Sequence, residues 1–216
     1  MCAVSLLIAD DHEVVRRGLR ALIQEQPGWQ VVAEATNGRD AVAKAHEFQP
    51  DVAILDITMP SLNGFDATTQ IAKLSPRTKV LILSIHDSDQ LIHKLLGAGA
   101  RGYILKADAG RDFIAAVKAL LSNQTFFTPK VAQKVMAVYL GKSPEANDDE
   151  SSQISGRERE VVQLLAEGKS SKEIATILGI STKTAETHRS NLMRKLNCRS
   201  VTEIVRYAIR NHIVEA

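Results

Sequence analysis

The sequence predicts two joined folds: a doubly wound α/β domain built on a five-stranded parallel sheet, then an all-α domain of four helices that contains a helix-turn-helix. Three observations predict this. Short apolar runs alternate with helix-length amphipathic stretches over residues 1–121, that alternation stops at Ser122, and residues 151–216 hold only helical patterns, with serine and glutamate at capping distance.

The α/β elements follow in order. Leu6 to Ala9 is a short apolar strand that ends on Asp10 and Asp11, and a helix is expected over His12–Gln26. A second strand, Gln30–Ala35, precedes a helix over Gly38–Phe48. Val52, Ala53, Ile54 and Leu55 are too few for a helix and rich in β-formers, which reads as a strand buried on both faces, ending on Asp56. Met59, Pro60, Asn63 and Gly64 make the turn that follows, proline by fixing φ and glycine by permitting positive φ, before a helix over Phe65–Leu74. Val80 to Leu83 ends on Ser84, a helix spans Ser88–Gly97, Gly102 to Leu105 ends on Lys106, and the last helix is Ala109–Leu121. Five strands with helical crossovers give the flavodoxin-like order 2-1-3-4-5, which gathers strands one, three and four about the acids.

Strand ends thus deliver three carboxylates, a hydroxyl and an ammonium to one sheet edge. Clustered carboxylates repel, so they imply Mg²⁺, a lysine, or both between them. A carboxylate beside a divalent cation, a lysine and a hydroxyl is suited to accept a phosphoryl group, because the cations neutralise the charge that develops in transfer.

Composition is that of an ordinary globular protein: 44% hydrophobic and 24% charged over 216 residues. No run of about 18 apolar residues occurs and the chain enters a strand at once, so neither a membrane span nor a secretory signal is expected, and the protein is expected in the cytoplasm. Cys2 and Cys198 make no metal spacing or disulfide framework. Charge is uneven: residues 1–121 carry 13 basic against 14 acidic side chains, and residues 151–216 carry 11 against 7. A polyanionic partner is therefore expected for the second domain alone.

Residues 122–150 read as a connecting segment, with one amphipathic helix near 128–140 and then the polar, acidic stretch KSPEANDDESSQ, a linker. Beyond it, Ser155 with Glu158, Ser170 with Glu173 and Ser200 with Glu203 fit the capping-box spacing, and Gly168 and Gly179 fit helix ends. Helices are expected over 156–167, 171–178, 182–197 and 200–212, the second and third joined only by Gly179, Ile180 and Ser181. That is a helix-turn-helix, whose second helix enters the DNA major groove. This helix buries Ala185, Leu192 and Leu196, and residues 182–199 carry five basic side chains against one acid, a balance suited to phosphates.

Taken together, Asp10-Asp11, Asp56 with Met59-Pro60 and Asn63-Gly64, Ser84 and Lys106 resemble the CheY-like receiver domain of bacterial two-component response regulators. The stretch from Ser155 to Leu196 is similar to the LuxR-type DNA-binding domain that follows receivers in the NarL/FixJ subfamily. The resemblance implies that Asp56 is the phosphoacceptor, and that Asp11, Asp56 and the backbone carbonyl of Thr58 hold Mg²⁺, with Asp10 acting through water. It gives Lys106 and Ser84 to the phosphoryl oxygens and Tyr103 to the switch that turns inward as Ser84 moves. Thr58 and His86 would flank the phosphoryl group. Ala107 stands where the family often has proline; a cis bond before alanine costs about 3 kcal/mol, so a different or looser approach of Lys106 is expected. On the DNA side, Glu186, Thr187 and Ser190 would face base edges, and Lys183, Arg189, Arg194 and Lys195 phosphates. Val201, Ile204, Val205 and Ala208 on the last helix would be shared between core and a dimer interface.

The function so implied is a phosphorylation-dependent transcription factor and not an enzyme beyond slow self-dephosphorylation. Its expected partners are a sensor histidine kinase, double-stranded promoter DNA and, when phosphorylated, a second copy; RNA polymerase is a further partner and a membrane is not. Two rivals stand beside it. One is a phosphorylation-independent DNA-binding protein; the other is an enzyme that forms an aspartyl-phosphate and turns it over, although Thr58 occupies the position of such an enzyme's second acid.

Overall fold

The computed structural model describes residues 3–86, 88–139 and 154–215, which form two compact units, an α/β unit and a helical one. The acidic part of the expected linker, from Lys142 to Gln153, lies outside the described residues.

The α/β unit runs β1 (Val4–Ala9), α1 (Glu13–Gln24), β2 (Trp29–Ala35), α2 (Gly38–Phe48), β3 (Val52–Asp56), α3 (Gly64–Leu74), β4 (Lys79–Ser84), α4 (Asp89–Gly97), β5 (Ala100–Leu105), α5 (Ala109–Leu121), β6 (Phe126–Phe127) and α6 (Pro129–Tyr139). All pairings are parallel, in the order β2-β1-β3-β4-β5-β6. The expected order of the first five is therefore found, and a sixth strand is added. Two residues give β6 no readable period; it exists because the edge of β5 is free to pair, Gly102 opposite Phe126 and Tyr103 opposite Phe127. Gly102 permits that approach, since a Cβ there would meet Leu81 Cδ1 at 2.8 Å and the Phe126 carbonyl at 3.3 Å.

Every residue of β3 is buried, as a strand covered on both faces requires. Leu6, Ile8, Val52, Ile54, Leu81, Leu83 and Ile104 point to one face, where Leu19 and Ile23 of α1 and Phe113, Val117 and Leu120 of α5 close over them. Helices α2, α3 and α4 cover the other face. Caps set several helix starts: the side chains of Asn37, Asn63 and Ser88 accept the amides of Asp40, Asp66 and Leu91.

In the helical unit, α7 (Gly156–Ala166), α8 (Ser171–Leu178), α9 (Thr182–Lys195) and α10 (Val201–Arg210) enclose a core that includes Val161, Leu164, Ile174, Leu178, Ala185, Leu192, Ile204 and Ala208. Ser155 and Ser170 form reciprocal capping boxes with Glu158 and Glu173. The third expected box differs. Ser200 does accept the Glu203 amide, but the Glu203 carboxylate reaches past it to the Arg199 amide at 2.5 Å. Gly179 ends α8 at φ 65°, the left-handed region that glycine enters at least cost, and so permits the tight turn into α9.

Candidate functional site

Register assembles the site. Ala9 lies opposite Leu55, Asp56 opposite Leu83 and Ser84 opposite Leu105, so Asp10, Asp56, Ser84 and Lys106 emerge side by side at the carboxyl ends of β1, β3, β4 and β5. This is the edge at which open parallel sheets build sites.

Asp10 and Asp56 are each 1% exposed. Between them stands one cation, Lys106 Nζ, 2.8 Å from Asp56 Oδ2 and 2.9 Å from Asp10 Oδ2. The other oxygen of Asp56 accepts the Ile57 amide at 2.7 Å. Burial pushes the Asp56 carboxyl above its ordinary value, and the Asp10 charge adds to this against the hydrogen bond from Lys106. Burial alone would pull the Lys106 ammonium down; its hydrogen bonds to Asp10 and Asp56, with their charges, outweigh that and leave it raised. The expected looseness at Lys106 is not found. Ala107 follows through a single 3₁₀ turn, Lys106–Asp108, all described peptide bonds are trans, and the ammonium still reaches both acids.

The turn after β3 corrects one expectation. Gly64 does not use positive φ; Ser61 does, at 66°. Glycine is required at 64 for space instead, because a Cβ would lie 2.1 Å from the Asp56 carbonyl oxygen, and the Gly64 amide closes the turn on Ile57 O at 2.7 Å. Thr58 sits half-buried in this turn.

Ser84 and Tyr103 are both fully buried. The Ser84 hydroxyl accepts the His86 amide at 3.0 Å, and the Tyr103 hydroxyl donates to the His86 carbonyl at 2.6 Å. One backbone residue thus ties the hydroxyl to the aromatic, and Tyr103 is already turned inward.

Two site residues, His12 and Arg16, were not singled out from the sequence. Asp11, about a third exposed, is joined by His12, whose Nδ1 lies 2.8 Å from Asp11 Oδ1 and 3.2 Å from Asp10 Oδ1. Arg16 holds the same segment from below, its Nη1 donating to the carbonyl of Asp10 at 2.8 Å and that of Asp11 at 3.2 Å. Arg16 lies one helical turn past His12, a spacing visible in the sequence; which groups it would meet was not.

In the helical unit, α9 exposes Lys183, Glu186, Thr187, Ser190, Arg194 and Lys195, with Arg189 half-buried. Thr187 Oγ1 donates to the Lys183 carbonyl at 2.9 Å, so its hydroxyl proton is occupied, and Lys195 Nζ is paired with Glu158 at 2.8 Å. On α10, Val201 and Val205 are half-buried. Ile204 and Ala208 are wholly buried in the unit's own core, which corrects their assignment to a dimer face: side chains with no exposed surface have none to give a partner.

The family described as response regulator receiver domain matches residues 6–118, and the luxR family of bacterial regulatory proteins matches residues 152–208. The chain is a two-component response regulator. This regulator is 36% identical to the oxygen regulatory protein NreC of Staphylococcus carnosus over 98% of its own chain and all of the relative. It is likewise 36% identical to the response regulator protein VraR of Staphylococcus aureus, over 98% of the chain and 99% of the relative. Among solved structures it resembles RcsB of Salmonella enterica serovar Typhimurium bound to promoter P1flhDC in the presence of phosphomimetic BeF3⁻, with 25% identity, a TM-score of 0.59, and 94% of this chain and 97% of that one covered. Its two units place the regulator with the receiver-plus-LuxR regulators of the NarL type, DNA-binding proteins of two-component systems. Among the described residues no helix is long and apolar enough to cross a membrane.

Proposed function

We propose that the regulator accepts a phosphoryl group on Asp56 from a sensor histidine kinase and converts it into dimerisation and promoter binding. The observation that carries this reading is the shared ammonium: Lys106 bridges Asp56 and Asp10 at 2.8 and 2.9 Å in a buried edge. A carboxylate so held is kept available as a nucleophile despite its burial, and the same ammonium faces the charge that arrives with the phosphoryl group. An Asp56 oxygen forms the new O–P bond while the N–P bond to the donor histidine breaks.

Asp10, Asp11 and Asp56 fit a divalent cation, since their oxygens converge within 4.8 Å of one another and, among the described residues, Lys106 is the one cation that bridges the two buried members. Asp11, Asp56 and the Thr58 carbonyl would hold Mg²⁺, with Asp10 through water. When bound, Mg²⁺ supplies charge neutralisation at the phosphoryl oxygens.

Phosphorylation brings the aspartyl group to roughly −2 charge with strong acceptor oxygens. Ser84 then turns its hydroxyl from the His86 amide toward the phosphoryl group, and Tyr103, already inward and donating to the His86 carbonyl, is held in that position. We assign the receiver to residues 1–121, the connecting segment to 122–150 and the DNA-binding domain to 151–216. In that last domain α9 enters the major groove, with Glu186, Thr187 and Ser190 at base edges and Lys183, Arg189, Arg194 and Lys195 at phosphates. Val201 and Val205 of α10 contribute the dimer contact. The regulator acts in the cytoplasm, contacts RNA polymerase at its promoters and turns over no substrate beyond slow loss of its own phosphoryl group.

The test compares wild type with Asp56→Asn for acid-stable and acyl-phosphate labelling. DNA binding and sedimentation are then measured at one salt concentration, with and without Mg²⁺ plus beryllofluoride. Labelling lost in the variant, with dimerisation and tightened DNA binding in the wild type alone, is the expected result. Labelling that persists in the variant removes Asp56 from the role.

A further inference from the structure

Four ligand-type side chains, not three, meet at the acidic edge. Oxygens of Asp10, Asp11 and Asp56 and a ring nitrogen of His12 all lie within 4.8 Å of one another. His12 Nδ1 stands 2.8 Å from Asp11 Oδ1 and 3.2 Å from Asp10 Oδ1. Neighbouring ligands on an octahedron with bonds of about 2.1 Å are about 3.0 Å apart, so the 2.8 Å separation of His12 Nδ1 from Asp11 Oδ1 suits two direct ligands of one small divalent cation, with Asp10 acting through water. Lys106 lies against Oδ2 of Asp10 and of Asp56, and His12 stands on the Oδ1 side of Asp10.

We infer that His12 supplies a nitrogen ligand to this cation site and tilts its selectivity from Mg²⁺ toward Mn²⁺ and the later first-row divalent ions. This rests on the reading of Asp10, Asp11 and Asp56 as the cation pocket. Magnesium is hard, prefers oxygen and gains little from an imidazole, whereas affinity for transition ions rises with nitrogen donors. Among the described residues the ring pairs with Asp10 and Asp11 alone. His12 precedes α1 in the capping position, yet its side chain makes no capping bond, and it is 59% exposed. Its place is set by backbone instead: the His12 amide donates to Asp10 Oδ1 at 2.9 Å, and Arg16 grips the carbonyls of Asp10 and Asp11. A plain counter-ion role for the imidazole would leave the same distances, so the decisive readout must see the nitrogen on the metal.

The experiment uses the full chain, as wild type, His12→Gln and Asp11→Asn. Mn²⁺ binding is followed by electron paramagnetic resonance, Mg²⁺ binding by competition, and the bound Mn²⁺ by electron spin echo modulation from ¹⁴N. Imidazole nitrogen modulation is expected in the wild type and not in His12→Gln, whose preference for Mn²⁺ over Mg²⁺ falls about tenfold through weaker Mn²⁺ binding. Glutamine at 12 keeps the backbone amide and removes no cap, so folding is preserved. Mn²⁺ bound in the wild type, weakened by Asp11→Asn, but free of nitrogen modulation overturns the role of His12 alone. Mn²⁺ binding that Asp11→Asn leaves unchanged overturns the cation pocket, and with it this inference.

Discussion

Replacing Gly64 with alanine probes how tightly the turn closes on the phosphoacceptor strand. The new Cβ would lie 2.1 Å from the Asp56 carbonyl oxygen, 2.9 Å from its carbon and 2.8 Å from Ile57 Cα. Ordinary contact begins at 3.4 Å, so the turn and the end of β3 must separate by more than about 1 Å. All three atoms are backbone, and no rotamer change can absorb the clash. The bond from the Gly64 amide to Ile57 O, 2.7 Å, is the first that must yield. Overpacking of this kind costs about 3 kcal/mol, the upper end of its usual range. For a unit of this size that is a fall of roughly 10 °C in Tm. Acyl-phosphate formation should fall about a hundredfold, since an ångström of displacement at a reacting group has that effect. Gly18→Ala and Gly110→Ala are matched controls. Both positions lie in helices with nothing within 4 Å of the added methyl, and each should gain roughly 0.5–1 kcal/mol. Thermal unfolding by circular dichroism and labelling with a small phosphodonor read both effects. A Gly64→Ala protein that melts within about 2 °C of wild type and labels at its rate would refute the close approach.

Three further outcomes follow from the packing and the charges. Asp56 is raised above 3.8 by burial first, so between 3.8 and its raised value the folded state holds a proton that the unfolded state has lost, and stability falls as pH rises across that window. Asp56→Asn should therefore melt higher than wild type at neutral pH in chelator, with a flatter pH profile; a less stable variant contradicts this. Glu158 is lowered below 4.5, chiefly by the Lys195 hydrogen bond, so its contribution is present above pH 4.5 and is lost as pH falls through the depressed value. Lys195→Met should cost no more than about 1 kcal/mol at neutral pH and blunt the acid sensitivity of the helical unit, a change that urea unfolding at pH 7 and pH 4 would detect. Leu192→Ala removes a side chain with no exposure from the helical core and should cost about 2–5 kcal/mol, abolishing DNA binding while Asp56 still labels. Loss of labelling in that variant would count against separate cores.

Legibility varied with the range of the interaction. The run Val52 to Leu55 could be read as a strand because a stretch of four apolar residues closed by an acid and a turn is a local signal, and each residue is buried as expected. The capping boxes at Ser155 and Ser170 were equally readable, since their partners lie three residues away. The third failed for a local reason of another kind: Glu203 had a choice of two neighbouring amides, and spacing does not say which it takes.

By itself the sequence determined which elements form, in what order, and which side chains end the strands, because periodicity, turn residues and caps act within a few residues of one another. It also determined the family, since the strand-end acids and the helix-turn-helix recur at spacings that read along the chain. Only the tertiary structure decided that Lys106 bridges Asp10 and Asp56, that His12 enters the acidic cluster, and that the backbone of His86 joins Ser84 to Tyr103. These depend on strand register and on distances between atoms up to about a hundred positions apart, to which no local pattern refers. The same holds for Ile204 and Ala208: one apolar stripe on α10 serves core and surface alike until packing assigns each side chain to one of them.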